Sequence, residues 1–178
     1  AVWETIFHTD LELTCASFLQ TNQWAVGTTS GGYMLQVDSR ELLPIGVGLE
    51  LGRIVSILQD QEEFLWVGTA EKGVVKYHPI TKKIETIKRD NGLSYNQVRT
   101  LFMDREGIVW IATVAGLDQY LGQAFILFDR RSGLPENLIW DFAMFQDQFL
   151  LATSQSLDLV KISEDNKNVR VIKRFSGS

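Results

Sequence analysis

At 178 residues, 45% hydrophobic and 22% charged, the chain has a globular composition and enough length to bury a sizeable core. Its 17 basic and 22 acidic residues give a formal charge of −5, a field that repels a phosphate backbone and argues against a nucleic-acid partner. No apolar stretch approaches the roughly 20 residues of a membrane helix, no basic segment followed by an apolar run opens the chain, and the lone Cys15 excludes an internal disulfide while leaving cytoplasm and periplasm both open.

Read in chain order, the sequence repeats itself. The first unit carries Trp24-Ala25-Val26-Gly27-Thr28, a turn at 30–32 (SGG), a strand ending at Val37 and a further strand at 41–45 (ELLPI). The second begins with the loop Gly48-Leu49-Glu50-Leu51-Gly52, then RIVSILQD (53–60), a turn at Glu62-Glu63, Leu65-Trp66-Val67-Gly68-Thr69, a turn at 71–73, a strand to Tyr77 and KIETIKR (83–89). The third repeats this from Gly92-Leu93-Ser94-Tyr95-Asn96 through QVRTLFMD, Val109-Trp110-Ile111-Ala112-Thr113 and Tyr120 to AFILFDR (124–130). The fourth runs from Gly133-Leu134-Pro135-Glu136-Asn137 through Phe149-Leu150-Leu151-Ala152-Thr153 to NVRVIKRF (168–175). Successive threonines lie 41, 44 and 40 residues apart, the period of a four-stranded propeller blade. Helical solenoids share that period, but the β-branched alternation and glycine turns select strands.

The predicted fold is therefore all-β: four-stranded antiparallel meanders forming about four β-propeller blades, part of a larger seven- or eight-bladed ring. One partial domain covers 1–178, with blades at 10–47, 48–91, 92–132 and 133–178, and residues 1–9 a strand left from a preceding blade. The small residues Gly27, Gly68, Ala112 and Ala152 precede each threonine. They are expected to receive a large ring from the next blade, with Trp66 and Trp110 buried. The fifth loop position reads Gly52, Asn96 and Asn137, residue types that tolerate the left-handed region, so positive φ is expected at all three. Thr28, Thr69, Thr113 and Thr153, with Asp60 and Asp104, are expected to bond the backbone of their own turns.

Residues 90–120 resemble the propeller repeat of two-component regulators through Asn91, Gly92, Leu93, Asn96, Val98, Asp104, Gly107, Trp110, Ile111, Thr113, Gly116, Leu117 and Tyr120. The resemblance weakens toward both ends, where Leu150 replaces the tryptophan and Ala25 stands at its position in the first unit. It implies a sensor region outside the cytoplasmic membrane of a bacterial signalling protein. Such a parent is periplasmic and anchored in the inner membrane through segments absent here, with kinase or cyclase activity in other domains and a sugar or nutrient as signal.

Chemistry is sparse. GVGLELG (46–52) has its third glycine one residue too late for a dinucleotide loop and continues as a strand. His8 and His78 lie in different repeats, so no metal site, no cofactor and no catalytic residues are expected. Repeating residues are scaffold, so function is sought where the units differ on a shared face. Arg53, Tyr95, Gln97, Glu136 and Trp140 on the inter-blade loops, with Lys72 on a turn, are the candidate binders of a small polar ligand such as an oligosaccharide. A non-catalytic sensor is the leading reading. An interaction scaffold, or a lyase related to streptogramin lyase, are the alternatives, and either pairing of two copies through open blade edges or adjustment of the four blades to a tighter ring is expected to cover the apolar end faces.

Overall fold

The computed structural model describes residues 10–20 and 22–175. The strand expected within residues 1–9, and His8, lie outside them. Four antiparallel meanders follow one another. The first comprises β1 (Leu13–Gln20), β2 (Gln23–Thr28), β3 (Gly32–Gln36) and β4 (Glu41–Pro44); the second β5 (Ile54–Gln59), β6 (Leu65–Thr69), β7 (Val74–Tyr77) and β8 (Ile84–Ile87). The third comprises β9 (Val98–Met103), β10 (Val109–Thr113), β11 (Gly116–Tyr120) and β12 (Phe125–Phe128); the fourth β13 (Ile139–Phe145), β14 (Gln148–Thr153), β15 (Leu157–Ile162) and β16 (Val169–Phe175). Within each sheet the spatial order is the chain order. Four all-β blades are thus present.

The first strands of successive blades lie side by side, β1 on β5, β5 on β9 and β9 on β13, so they form the inner edge of the arc. The core consists of three layers between blades. Ala25, Met34, Ile54 and Val67 fill the first, Trp66, Val74, Val98 and Ile111 the second, and Trp110, Phe128, Phe142 and Leu151 the third. Because β6 and β10 have a blade on either side, every residue in them is buried, which is why both read as unbroken apolar runs. Trp66 and Trp110 are 1% and 3% exposed. In β2 the outer face is open at its start, where Trp24 is exposed, while Ala25 is buried against blade two and Val26 to Thr28 are buried as well.

The sheets do approach closely over Gly27 and Gly68, but aliphatic groups and the Cys15 thiol fill the space there and not rings. A Cβ added at Gly27 would lie 2.7 Å from Ile54 Cγ2 and 2.6 Å from Cys15 Sγ; one at Gly68 would lie 2.9 Å from Val98 Cγ1. The rings meet other rings instead, Trp66 on Tyr120 and Trp110 on Phe149, each pair at 4.8 Å between centroids. The physical reason is reach: β-branched residues on an inner strand stand directly over the neighbour's small position, while the tryptophans project toward the other end of the blade. Two outer strands are shorter than the apolar runs predict. β8 stops at Ile87 and β12 at Phe128, because the chain then winds into 3-10 turns at Arg89–Asn91 and Arg130–Ser132.

Candidate functional site

Two ends of the blades are distinguished by what gathers there. At one end lie the second hairpin turns and the inter-blade loops. The repeated threonines lock those turns: Thr69 Oγ1 accepts from Lys72 N at 2.8 Å and donates to the Gly73 carbonyl, and Thr28, Thr113 and Thr153 do the same for theirs. At the other end, Asp60 Oδ1 accepts from Glu62 N and Phe64 N, as the sequence suggests, and its Oδ2 also accepts from Trp66 Nε1 at 2.8 Å. Asp104 binds Glu106 N, Ile108 N and Trp110 Nε1 in the same way. Each aspartate therefore fastens a turn and an indole together.

The loop asparagines correct an expectation. Gly52 has φ +68°, but neither Asn96 nor Asn137 has positive φ. Their side chains do the work: Asn96 Oδ1 accepts from Arg89 N at 2.7 Å and Asn137 Oδ1 from Arg130 N at 2.8 Å. Those are the opening N–H groups of the two 3-10 turns, which have no partner inside the turn. The loop before β5 has no such turn to close and uses glycine backbone freedom.

The six candidate binders are distributed along this loop end, Arg53 ahead of β5, Tyr95 and Gln97 ahead of β9, Glu136 ahead of β13, Trp140 within β13 and Lys72 on the β6–β7 turn. Two are engaged by the scaffold: the Lys72 ammonium donates to the Glu50 carbonyl, and Glu136 accepts from Ser154 Oγ at 3.0 Å. Arg53, Tyr95 and Trp140 are exposed, and the Arg89 guanidinium lies 6.0 Å from the Tyr95 ring centroid.

A residue that the sequence reading missed stands at the centre. In each blade the first strand carries a bulge at its start: the pairing skips Thr14, Val55, Arg99 and Trp140 in turn. A bulge re-aims its side chain out of the sheet's alternation. Four unlike residues thus share one position on the inner strands, and two of them meet: the Arg99 guanidinium lies over the Trp140 ring at 4.3 Å, with its Nε buried and without a hydrogen-bond partner. The available signal was the column itself, which reads Thr, Val, Arg, Trp directly after the residue that opens each inner strand.

Behind this end lies a buried carboxyl. Asp118 is fully buried, with Ser94 N and Ser94 Oγ donating to it, and Ser94 Oγ lies 2.8 Å from Thr113 Oγ1. Burial pushes its pKa up to about 7, against the lowering effect of the Ser94 bonds.

Residues 48–71 and 92–115 match the family model described as two component regulator propeller. Those two stretches are two-component regulator propeller repeats. In these regulator-propeller repeats the matched stretches span the loop, the inner strand, the aspartate-anchored turn and the tryptophan strand of blades two and three. A curated relative, Histidine kinase P4 of Formosa agariphila, is 34% identical over 64 residues, which is 34% of this chain and 5% of that protein. The extracellular domain named as that of a hybrid two component system, BT3049, from B. thetaiotaomicron superposes with a TM-score of 0.78 at 19% identity, over 95% of this chain and 24% of that one. The β-propeller domain of Cps50 (Swd1) from Myceliophteria thermophila gives 0.67 at 11% identity, over 96% of this chain and 57% of that one. At these identities the solved structures establish the fold. The chain spans a small part of the histidine kinase and of the BT3049 extracellular domain, and 57% of the Cps50 propeller domain. Among the described residues no helix is long and apolar enough to cross a membrane.

Proposed function

We propose that these blades belong to the extracytoplasmic, ligand-sensing propeller of a bacterial signalling protein, a non-catalytic region whose output lies in other segments of the parent. The family match in two blades supports this reading, and so does the likeness to the extracellular part of a two component system. The ligand is a small polar molecule of the oligosaccharide class, taken at the loop end of the inner strands. The observation that carries the site is the bulge pair, an exposed indole with an arginine on its face and an unpartnered Nε–H beside it. An aromatic face suits the apolar side of a sugar ring, and a guanidinium suits its hydroxyl oxygens. Arg53, Tyr95 and Gln97 flank the pair on the neighbouring loops, whereas Lys72 and Glu136 serve chiefly to hold those loops in place.

The test is calorimetric titration of the chain with a panel of oligosaccharides, followed by Arg99→Ala and Trp140→Ala. A bound oligosaccharide whose affinity falls at least tenfold in both variants supports the site. A panel with no binder, or a binder indifferent to both changes, overturns it.

A further inference from the structure

Blades two and three share the aspartate-anchored turn and the buried indole, yet they differ at the residue paired across from the tryptophan. In blade two that residue is Lys76. Its ammonium lies 3.5 Å from Asp60 Oδ2 and over the rings of Phe64, Trp66 and Tyr120, at 4.4, 4.8 and 5.9 Å from their centroids. In blade three it is Gln119, paired with Trp110. Asp104 stands where Asp60 does, and Phe149 of blade four supplies the ring that Tyr120 supplies to Trp66. Blade three thus repeats an ammonium-holding arrangement with a shorter, uncharged side chain in place of the lysine.

A cleft of about 770 Å³ opens there between blades three and four, lined by Asp104, Trp110, Gln119 and Phe149. Gln119 is only 3% exposed, and its buried amide oxygen accepts no hydrogen bond. A buried acceptor without a donor is costly, and it marks a place for an N–H or O–H group. The charges on the walls choose between donors. Asp147 and Lys161 neutralise one another as an ion pair, while Glu106 and Glu164 join Asp104 against the single remaining cation, Arg105. A carboxylate, an aromatic face and an orphan carbonyl together favour a cation with N–H donors.

We infer that this cleft binds the terminal ammonium of an alkylamine, in the position that Lys76 fills one blade earlier. The site lies at the opposite end of the blades from the Arg99–Trp140 pair, so the two readings stand or fall separately, and Arg99→Ala leaves amine binding unchanged.

The test uses 1,5-diaminopentane and its neutral isostere 1,5-pentanediol as probes, titrated against the full chain by calorimetry. Saturable binding of the diamine is expected, with the diol at least tenfold weaker. Gln119→Lys, whose own ammonium takes the site, is expected to weaken the diamine at least tenfold and to raise the melting temperature. Gln119→Met, close in shape but without an acceptor, is expected to weaken it severalfold without that rise, and it decides the matter if the lysine variant does not fold. No binding of the diamine, equal binding of the diol, or full affinity in either variant overturns the proposal.

Discussion

Single side chains in this protein are used mainly to satisfy turn backbone, and the asparagines show how two chemistries can occupy one column of a repeat. Gly52 answers a demand for positive φ, whereas Asn96 and Asn137 answer a demand for an acceptor at the start of a 3-10 turn. The two demands separate under substitution. Asn137→Ala removes the bond to Arg130 N and is expected to lower stability by about 1 kcal/mol, and Asn137→Gly is expected to be no better. Were φ the issue, glycine would restore stability; urea denaturation of both variants reads the difference. Composition alone made the column look uniform, since both residue types tolerate the left-handed region. The bond itself spans seven residues and becomes visible only when the turn is folded.

At the level of elements, strand phase was readable because both faces of β6 and β10 are covered and their small residues fall at one register position. What fills the space over those residues was not, since Ile54 and Val98 come from the next blade and their distance to Gly27 and Gly68 depends on how the sheets cross. The bulge was hidden for a related reason: Thr14, Val55, Arg99 and Trp140 share no chemistry, so the column they form marks the position only once the strands are aligned. Asp118 ties the loop before β9 to its own blade through Ser94, and burial disfavours the charged form of this carboxyl. In the unfolded chain the carboxyl ionises near its ordinary value of 3.8; in the fold it does so at about 7. The folded state therefore holds the extra proton between those values. The stability due to this group is full below about pH 4 and declines as pH rises to about 7. Asp118→Asn cannot ionise and can keep a bond to Ser94. It is expected to melt well above the parent chain at pH 8 and close to it at pH 4, and a difference that stays constant across this range would contradict the account.

Among the described residues the four blades form an open arc. The inner strands pack in sequence from β1 to β13, but β1 and β13 do not close on each other among the described residues, and the Cps50 propeller is matched over only 57% of its length. Among the described residues the first and fourth blades each present one face with no neighbouring blade. Phe18 and Trp24 stack edge to face at 5.3 Å on the first, both exposed, and Phe145 with Ile172 stands out on the fourth. Apolar faces of this kind are covered in a closed propeller by the adjoining blade. A second copy can cover the same surface, since blade-to-blade stacking offers the same ring and aliphatic contacts that fill the three internal layers. Concentration-dependent self-association is therefore expected in sedimentation velocity. Phe18→Arg with Phe145→Asp, both at exposed positions that leave the internal layers intact, is expected to shift the distribution to monomer with little change in melting temperature. If the parent chain sediments as a monomer over a hundredfold range of concentration, the exposed faces tolerate water and stacking is not what covers them. If instead the double variant associates as the parent does, the contact lies on another surface, and the bare ends of the arc are not its cause.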